Sequence, residues 1–194
     1  MLEARDLGFS YGGAQPVLDG VSLSIARGEI VGLSGRSGCG KSTLGRVLSG
    51  YLRPEHGAVR IDGGAPPAGR WPVQYVHQSP IFSVDPRWRI GRIIEEAWEP
   101  DEGARDEFGV RRDWFDRYPH EVSGGELQRV VLLRALAPAT RYLIADEATV
   151  MLDPITQAAI WRALMRRSRD GLGILAISHS PALLDRVASR RIAL

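Results

Sequence analysis

Cysteine is almost absent from this 194-residue sequence: Cys39 is the only one. No internal disulfide can form, and a reducing compartment is expected. Long apolar runs are missing as well. None approaches the roughly 18 residues of a membrane-spanning helix, and the longest, such as 173–177, suit a buried strand. The first residues hold no basic stretch leading into an apolar one, so no secretory leader is expected. An excess of one charge is also lacking. The 25 basic and 23 acidic residues leave a net charge of +2, too little to point to nucleic acid, and Arg111-Arg112 and Arg166-Arg167 read as solvated faces. Lysine is the last scarcity: 24 of the 25 basic residues are arginine, and the exception is Lys41.

What is present is an ordinary globular composition, 44% hydrophobic and 25% charged, long enough for one domain with its own core. Strand-like alternation runs over 2–11 and more cleanly over 17–25, where Val21, Leu23 and Ile25 face one way and Ser22 and Ser24 the other. A short apolar strand over 30–33 runs into a glycine-rich loop, and a helix is expected over 41–49, stopped at Gly50. Further strands are expected over 57–62, 73–77, 142–145, 172–177 and 191–194, and helices over 125–136, 154–167 and 181–187. Between 79 and 121 the character changes. Trp88, Trp98 and Trp114 cluster there, and helical spacing over 90–98 suggests a small, mostly helical insert. Strands alternating with helices predict an α/β fold with a largely parallel sheet.

Gly35-Arg36-Ser37-Gly38-Cys39-Gly40-Lys41-Ser42, followed by Thr43, fits the phosphate-loop spacing at every fixed position. The glycines let the backbone turn its N–H groups toward the phosphates of ATP, and the helix that begins there adds its positive end. The one lysine stands where a compact ammonium on a flexible stem reaches phosphate, and the Ser42 hydroxyl can ligate Mg²⁺. Downstream, an apolar strand over 143–145 delivers Asp146 and Glu147 at its C-terminal end, where ligands sit in parallel α/β sheets. Asp146 suits the Mg²⁺ shell, and Glu147 suits a general base that polarises water. Ser123-Gly124-Gly125-Glu126 opens another helix with two glycines, a second design for holding phosphate.

With these motifs in order, the whole sequence resembles the ATP-binding cassette (ABC) ATPases. Val122-Ser123-Gly124-Gly125-Glu126-Leu127-Gln128-Arg129 is similar to their signature motif, with valine for the usual leading leucine and Glu126 where glutamine is common. The resemblance implies a P-loop NTPase core with an N-terminal antiparallel β subdomain and a small helical insert. Residues 1–78 and 139–194 would form the core, and 79–138 the helical subdomain with the signature. It also implies a head-to-tail dimer, in which the signature of one subunit meets the γ-phosphate held by the other. Tyr11 then corresponds to the aromatic residue that stacks on adenine. Gln78 corresponds to the glutamine that touches Mg²⁺ and the attacking water, Asp153 to the aspartate loop at the dimer interface, and His179 to the switch histidine at the γ-phosphate.

Finer details resemble the importers of peptides, nickel and metal-chelating metallophores: Gln78 followed by Val84-Asp85-Pro86-Arg87-Trp88, the form of the signature, and the stretch from Ala145 through Met151, Asp153 and Thr156-Gln157. Such a chain works as the ATPase subunit of a membrane importer, peripheral on the cytoplasmic face. Its partners are transmembrane permease subunits, a second ATPase subunit and, indirectly, an extracytoplasmic substrate-binding protein. Trp88 and Trp98 would either offer an apolar groove to a permease helix or pack as local core. Members of this branch usually continue well past the switch histidine, whereas this sequence ends at Leu194. Two other readings stay open: a soluble cassette ATPase acting on nucleic acid or ribosomes, and a regulatory nucleotide-binding module without turnover. The absence of a basic patch counts against the first, and Glu147 and His179 against the second.

Overall fold

The computed structural model describes residues 1–13, 15–67, 69 and 71–194. Its elements run β1 (Leu2–Phe9), β2 (Leu18–Ile25), β3 (Ile30–Ser34), α1 (Lys41–Leu48), β4 (His56–Ile61), β5 (Val73–Val76), α2 (Ile90–Glu95), α3 (Glu102–Glu107) and α4 (Gly124–Ala135). Then follow β6 (Tyr142–Asp146), α5 (Pro154–Arg169), β7 (Gly173–Ile177), α6 (Pro181–Val187) and β8 (Arg190–Ala193).

Five strands form a sheet in the order β5-β6-β7-β3-β8, and every neighbouring pair is parallel. Strands in such a sheet are apolar on both faces because both faces are covered. Side chains alternate with period two between the two coverings. Leu143 and Ala145 of β6 and Ile174 and Ala176 of β7 join one core with α4, α5 and the insert. Tyr142, Ile144, Leu175 and Ile177 turn to the other core, shared with α1 and the second sheet. That second sheet is antiparallel, in the order β2-β1-β4. Its β2 shows the expected alternation, with Leu23 and Ile25 buried and Ser22 exposed. The central parallel sheet thus carries β3 and β6 side by side with β7, and their C-terminal ends open together.

The structure departs from the sequence reading in three places. β1 stops at Phe9, so Tyr11 lies in a loop beyond it, and the strand changes register around Asp6, whose φ is +53°. α3 was not anticipated, because its six residues are mostly charged and carry no apolar period. Asp101 starts it by accepting a hydrogen bond from the Ala104 N–H at 2.7 Å, while Ala104 and Phe108 anchor it in the core. The helix expected over 90–98 ends at Glu95, and much of the insert consists of short 3₁₀ turns at Pro80–Ser83, Arg112–Trp114 and Pro119–Glu121. The insert has no separate core. Ile90, Ile93, Phe108 and Trp114 pack in the same cluster as Leu143 and Ala145 of the sheet. Glu107 also ties it to α5, through Arg166 at 3.3 Å and Arg167 at 2.6 Å.

Candidate functional site

β3 runs straight into the phosphate loop, and two glycines there have no substitute. Gly35 has φ +154°, and a Cβ on it would lie 2.6 Å from the Leu194 carbonyl oxygen. Gly40 has φ +98°, and its Cβ would lie 2.8 Å from the Val17 carbonyl oxygen. Side chains at either position would force the loop open. Gly40 also caps α1, and no side chain bonds to that helix end. The first-turn N–H groups therefore keep their bonding capacity for a phosphate. Lys41, a residue only 7% exposed, donates through its ammonium to the carbonyl oxygens of Gly35 at 2.9 Å and Arg36 at 2.8 Å, and the ammonium lies 3.8 Å from the Cys39 sulfur. The loop thus wraps around a single positive charge.

Asp146 ends β6 and is buried. Glu147 follows it with φ +50°, a left-handed conformation that costs a non-glycine residue about 1 kcal/mol or more. The turn is held from both sides. Glu147 N–H donates to the Ile177 carbonyl at 3.0 Å. The Glu147 carboxylate accepts from the His179 backbone N–H at 2.6 Å and from the Ser178 hydroxyl at 3.4 Å. The carboxylate and the start of the histidine segment are therefore one hydrogen-bonded unit at the mouth of the sheet.

A cavity of ≈ 540 Å³ brings these groups together. Ser37, Gly38, Gly40, Lys41, Ser42 and Thr43 of the loop line it, facing Gln78, Asp146, Glu147 and His179. Tyr11 stands at its rim, 59% exposed, with its hydroxyl 3.3 Å from the Thr43 hydroxyl and its ring edge-on to Phe9 at 4.9 Å. Gly35, Arg36 and Cys39 belong to the loop but do not line the cavity; Gly35 and Arg36 contribute the carbonyls that hold Lys41.

Ser123, Gly124, Gly125 and Asp153 line a different cavity, of ≈ 390 Å³, with Glu126, Arg129, Met151, Leu152 and Thr156. It shares no residue with the first. Ser123 and Glu126 form a reciprocal capping box: the Glu126 N–H donates to the Ser123 hydroxyl at 3.2 Å, and the Ser123 N–H to the Glu126 carboxylate at 2.7 Å. That bond from the Ser123 N–H holds the Glu126 carboxyl below its usual range, against burial. With those two N–H groups satisfied, Gly124 and Gly125 contribute the remaining first-turn donors. Met151 lies over them: a Cβ on Gly124 would meet its methyl carbon at 3.1 Å. Asp153 caps α5, accepting from the Ile155 and Thr156 N–H groups at 3.0 Å each.

Several contributors escaped the sequence reading. Gln128, fully buried in α4, donates to the His77 carbonyl at 3.2 Å, next to Gln78. Thr149 accepts from Gln157 and from the Trp161 indole, both at 3.0 Å, and so fastens the turn after Glu147 onto α5. Tyr75, buried in β5, donates to Asp146 at 2.5 Å. Gln128 and Thr149 carried a signal only through their place in stretches that resemble the family, the signature and the segment from Ala145 to Asp153. Trp88 and Trp98 are half-buried against the core, which is the local-core alternative of the two expected. Arg92 covers the Trp88 ring at 4.0 Å, and the Trp98 indole donates to the Leu133 carbonyl at 3.0 Å. The exposed apolar groups of this region are Tyr51, Ile81 and Phe82, beside a cavity of ≈ 500 Å³ lined by Tyr51, Gln74, Ser83, Glu96, Ala97 and Arg134.

Residues 18–150 match the family model described as ABC transporter. A nickel import ATP-binding protein of Rhodospirillum rubrum is 37% identical over 93% of this chain and 73% of its own length. A probable D,D-dipeptide transport ATP-binding protein of Escherichia coli is 34% identical over 89% of this chain. The chain spans 59% of the length of that second relative. Among solved structures, one described as the ATP-binding subunit of an ABC transporter superposes with a TM-score of 0.86, at 27% identity, over all of this chain and 85% of the other.

Proposed function

Since the chain belongs to the ABC transporter family, we propose that it binds and hydrolyses ATP as the energising subunit of a membrane importer. The observation that carries this reading is the single cavity in which the phosphate loop faces Gln78, Asp146, Glu147 and His179. Lys41 and the first-turn N–H groups of α1 bind the β- and γ-phosphates, and Tyr11 offers its exposed ring to the adenine. The oxygen donors of Ser42, Asp146 and Gln78 in that cavity fit a hard divalent cation such as Mg²⁺. When bound, Mg²⁺ neutralises charge on the phosphate oxygens.

Glu147 is the base for the attacking water, and His179 orients that water toward the γ-phosphate. Catalysis is positioning together with charge stabilisation. The hydrogen bond from the His179 N–H to the Glu147 carboxylate keeps the two in register. The signature residues Ser123, Gly124 and Gly125 lie in a different cavity from the phosphate loop. A second cassette, the same chain or a related one, completes each site by bringing its signature to the γ-phosphate, with Asp153 at the junction. In this reading 1–78 and 139–194 form the catalytic core and 79–138 the helical subdomain.

The names of the relatives, one for nickel import and one for D,D-dipeptide transport, support the branch that imports peptides, nickel or metal chelates. Permease subunits would dock at Tyr51, Ile81 and Phe82, with a substrate-binding protein acting on the far side of the membrane. No helix among the described residues is long and apolar enough to cross a membrane, which fits a peripheral place on the cytoplasmic face. Phosphate release tests the reading. The wild-type chain with its permease should hydrolyse MgATP, while Glu147→Gln should bind ATP and leave it intact. Normal turnover by Glu147→Gln would remove the general base, and no turnover by the wild type would leave a binding module.

A further inference from the structure

Asp146 makes one hydrogen bond to another side chain among the described residues, and that partner is Tyr75. The phenol donates to Oδ2 at 2.5 Å. Both groups are buried: Tyr75 is 7% exposed and Asp146 6%. A carboxylate oxygen can only accept here, so the phenol O–H is the donor. The ring reaches Asp146 by passing between α1 and β6, and it needs space there. Gly45 of α1 supplies that space. A Cβ at this position would lie 2.9 Å from Tyr75 Cε2 and 3.0 Å from Ile144 Cγ2. Neither neighbour is a free chain end: the ring is held at its hydroxyl, and Ile144 is a fully buried part of the central strand.

We propose that Tyr75 is a positioning residue for the metal shell, fixing the Asp146 carboxylate through Oδ2 so that Oδ1 is presented to the divalent cation, with Gly45 keeping the space that makes this bond possible. This rests on the nucleotide-and-Mg²⁺ reading above. A carboxylate at a strand end rotates about its last bond unless one oxygen is held. A metal ligand that must be re-oriented on binding holds its ion less tightly. Loss of an outer-shell partner of this kind typically weakens metal affinity by about 10- to 100-fold. Tyr75 does not line the nucleotide cavity, so its loss should leave nucleotide binding without metal unchanged.

The test uses Mn²⁺ as the probe, followed by its electron paramagnetic resonance signal, on the full chain saturated with the non-hydrolysable analogue β,γ-imido-ATP. Tyr75→Phe keeps the ring and removes the donor. It should bind Mn²⁺ about tenfold more weakly or worse, with metal-free nucleotide affinity unchanged, while the buried carboxylate oxygen left without its donor lowers the melting temperature. Gly45→Ala keeps the phenol and displaces the ring. It should also weaken Mn²⁺ binding, and should add little when combined with Tyr75→Phe. Should Tyr75→Phe not fold, Gly45→Ala decides alone. Wild-type Mn²⁺ affinity in a folded variant would overturn the proposal, as would a parallel fall in metal-free nucleotide affinity, which marks a merely structural role. Asp146→Asn separates the two levels. If it removes nucleotide-dependent Mn²⁺ binding while Tyr75→Phe does not, only the role of Tyr75 fails. If the wild type shows no such binding, the metal site fails and the proposal with it.

Discussion

Replacing Gln128 by methionine separates the stability of α4 from its hold on the segment that carries Gln78. The Gln128 amide is fully buried; its Nε2 donates to the His77 carbonyl at 3.2 Å, and its Oε1 has no protein partner. The amide orientation is set by that carbonyl, because the flipped form would put two acceptors together. Methionine has a similar length and no strong polar atom. Losing the bond leaves a part-buried carbonyl unpaired, which costs up to about 1–3 kcal/mol, while removing the unpartnered, buried Oε1 returns a similar amount. The two terms oppose, so the net change should be about 1 kcal/mol or less. For a chain of this length that shifts the melting temperature by roughly 2–4 °C. ATPase activity should respond far more. With His77 untethered, Gln78 loses its fixed place, and a misplacement of about 1 Å near the chemistry costs up to roughly 100-fold. Thermal melts and steady-state phosphate release on the same preparation measure both quantities. Unchanged ATPase activity would refute the tether. A fall in melting temperature beyond about 10 °C would instead mark Gln128 as ordinary core packing.

Two further substitutions probe the site's frame. Lys41→Ala removes the one ammonium that the loop encloses, and nucleotide affinity should fall by about 10- to 100-fold, the loss of a charge-assisted contact; equilibrium titration with a fluorescent ATP analogue checks it, and unchanged affinity would undo the phosphate-loop argument. Thr149→Val keeps the shape but leaves the buried Trp161 N–H without its acceptor, so stability should drop by about 1–3 kcal/mol in urea unfolding. No drop would mean that the turn after Glu147 is not fastened through this hydroxyl.

The phosphate loop was legible because its chemistry forces residue types at fixed spacing: glycine where a Cβ would strike Leu194 or Val17, and lysine where phosphate must be met. Asp146 and Glu147 were legible only beside the phosphate loop, because an apolar strand ending in two carboxylates is, alone, as readily an ordinary solvated pair. β7 and β6 were found to within a residue, since a strand buried on both faces reads as a short, unbroken apolar run. The contacts that support the site were not legible. Tyr75 looks like any strand aromatic, and only the fold shows that its hydroxyl meets Asp146, 71 residues away. Thr149 and Gln128 likewise act through partners that no local pattern indicates. α3 was invisible because it is held by its Asp101 cap and two anchoring side chains rather than by an apolar stripe. Trp88 and Trp98 stayed open between groove and local core because an aromatic that packs on its own subdomain has the same sequence signal as one that awaits a partner.

The central claim is that this chain holds two incomplete halves of an ATP site, a phosphate cavity and a signature cavity with no residue in common, which a second cassette must bring together. The most direct test is the molecular mass of Glu147→Gln in solution, measured by light scattering with and without MgATP. The account predicts a monomer without nucleotide and, if two copies of this chain suffice, a dimer with MgATP that collapses when Ser123 is replaced by arginine. A Glu147→Gln chain that binds MgATP and stays monomeric, even with a co-expressed partner cassette and permease, would contradict it.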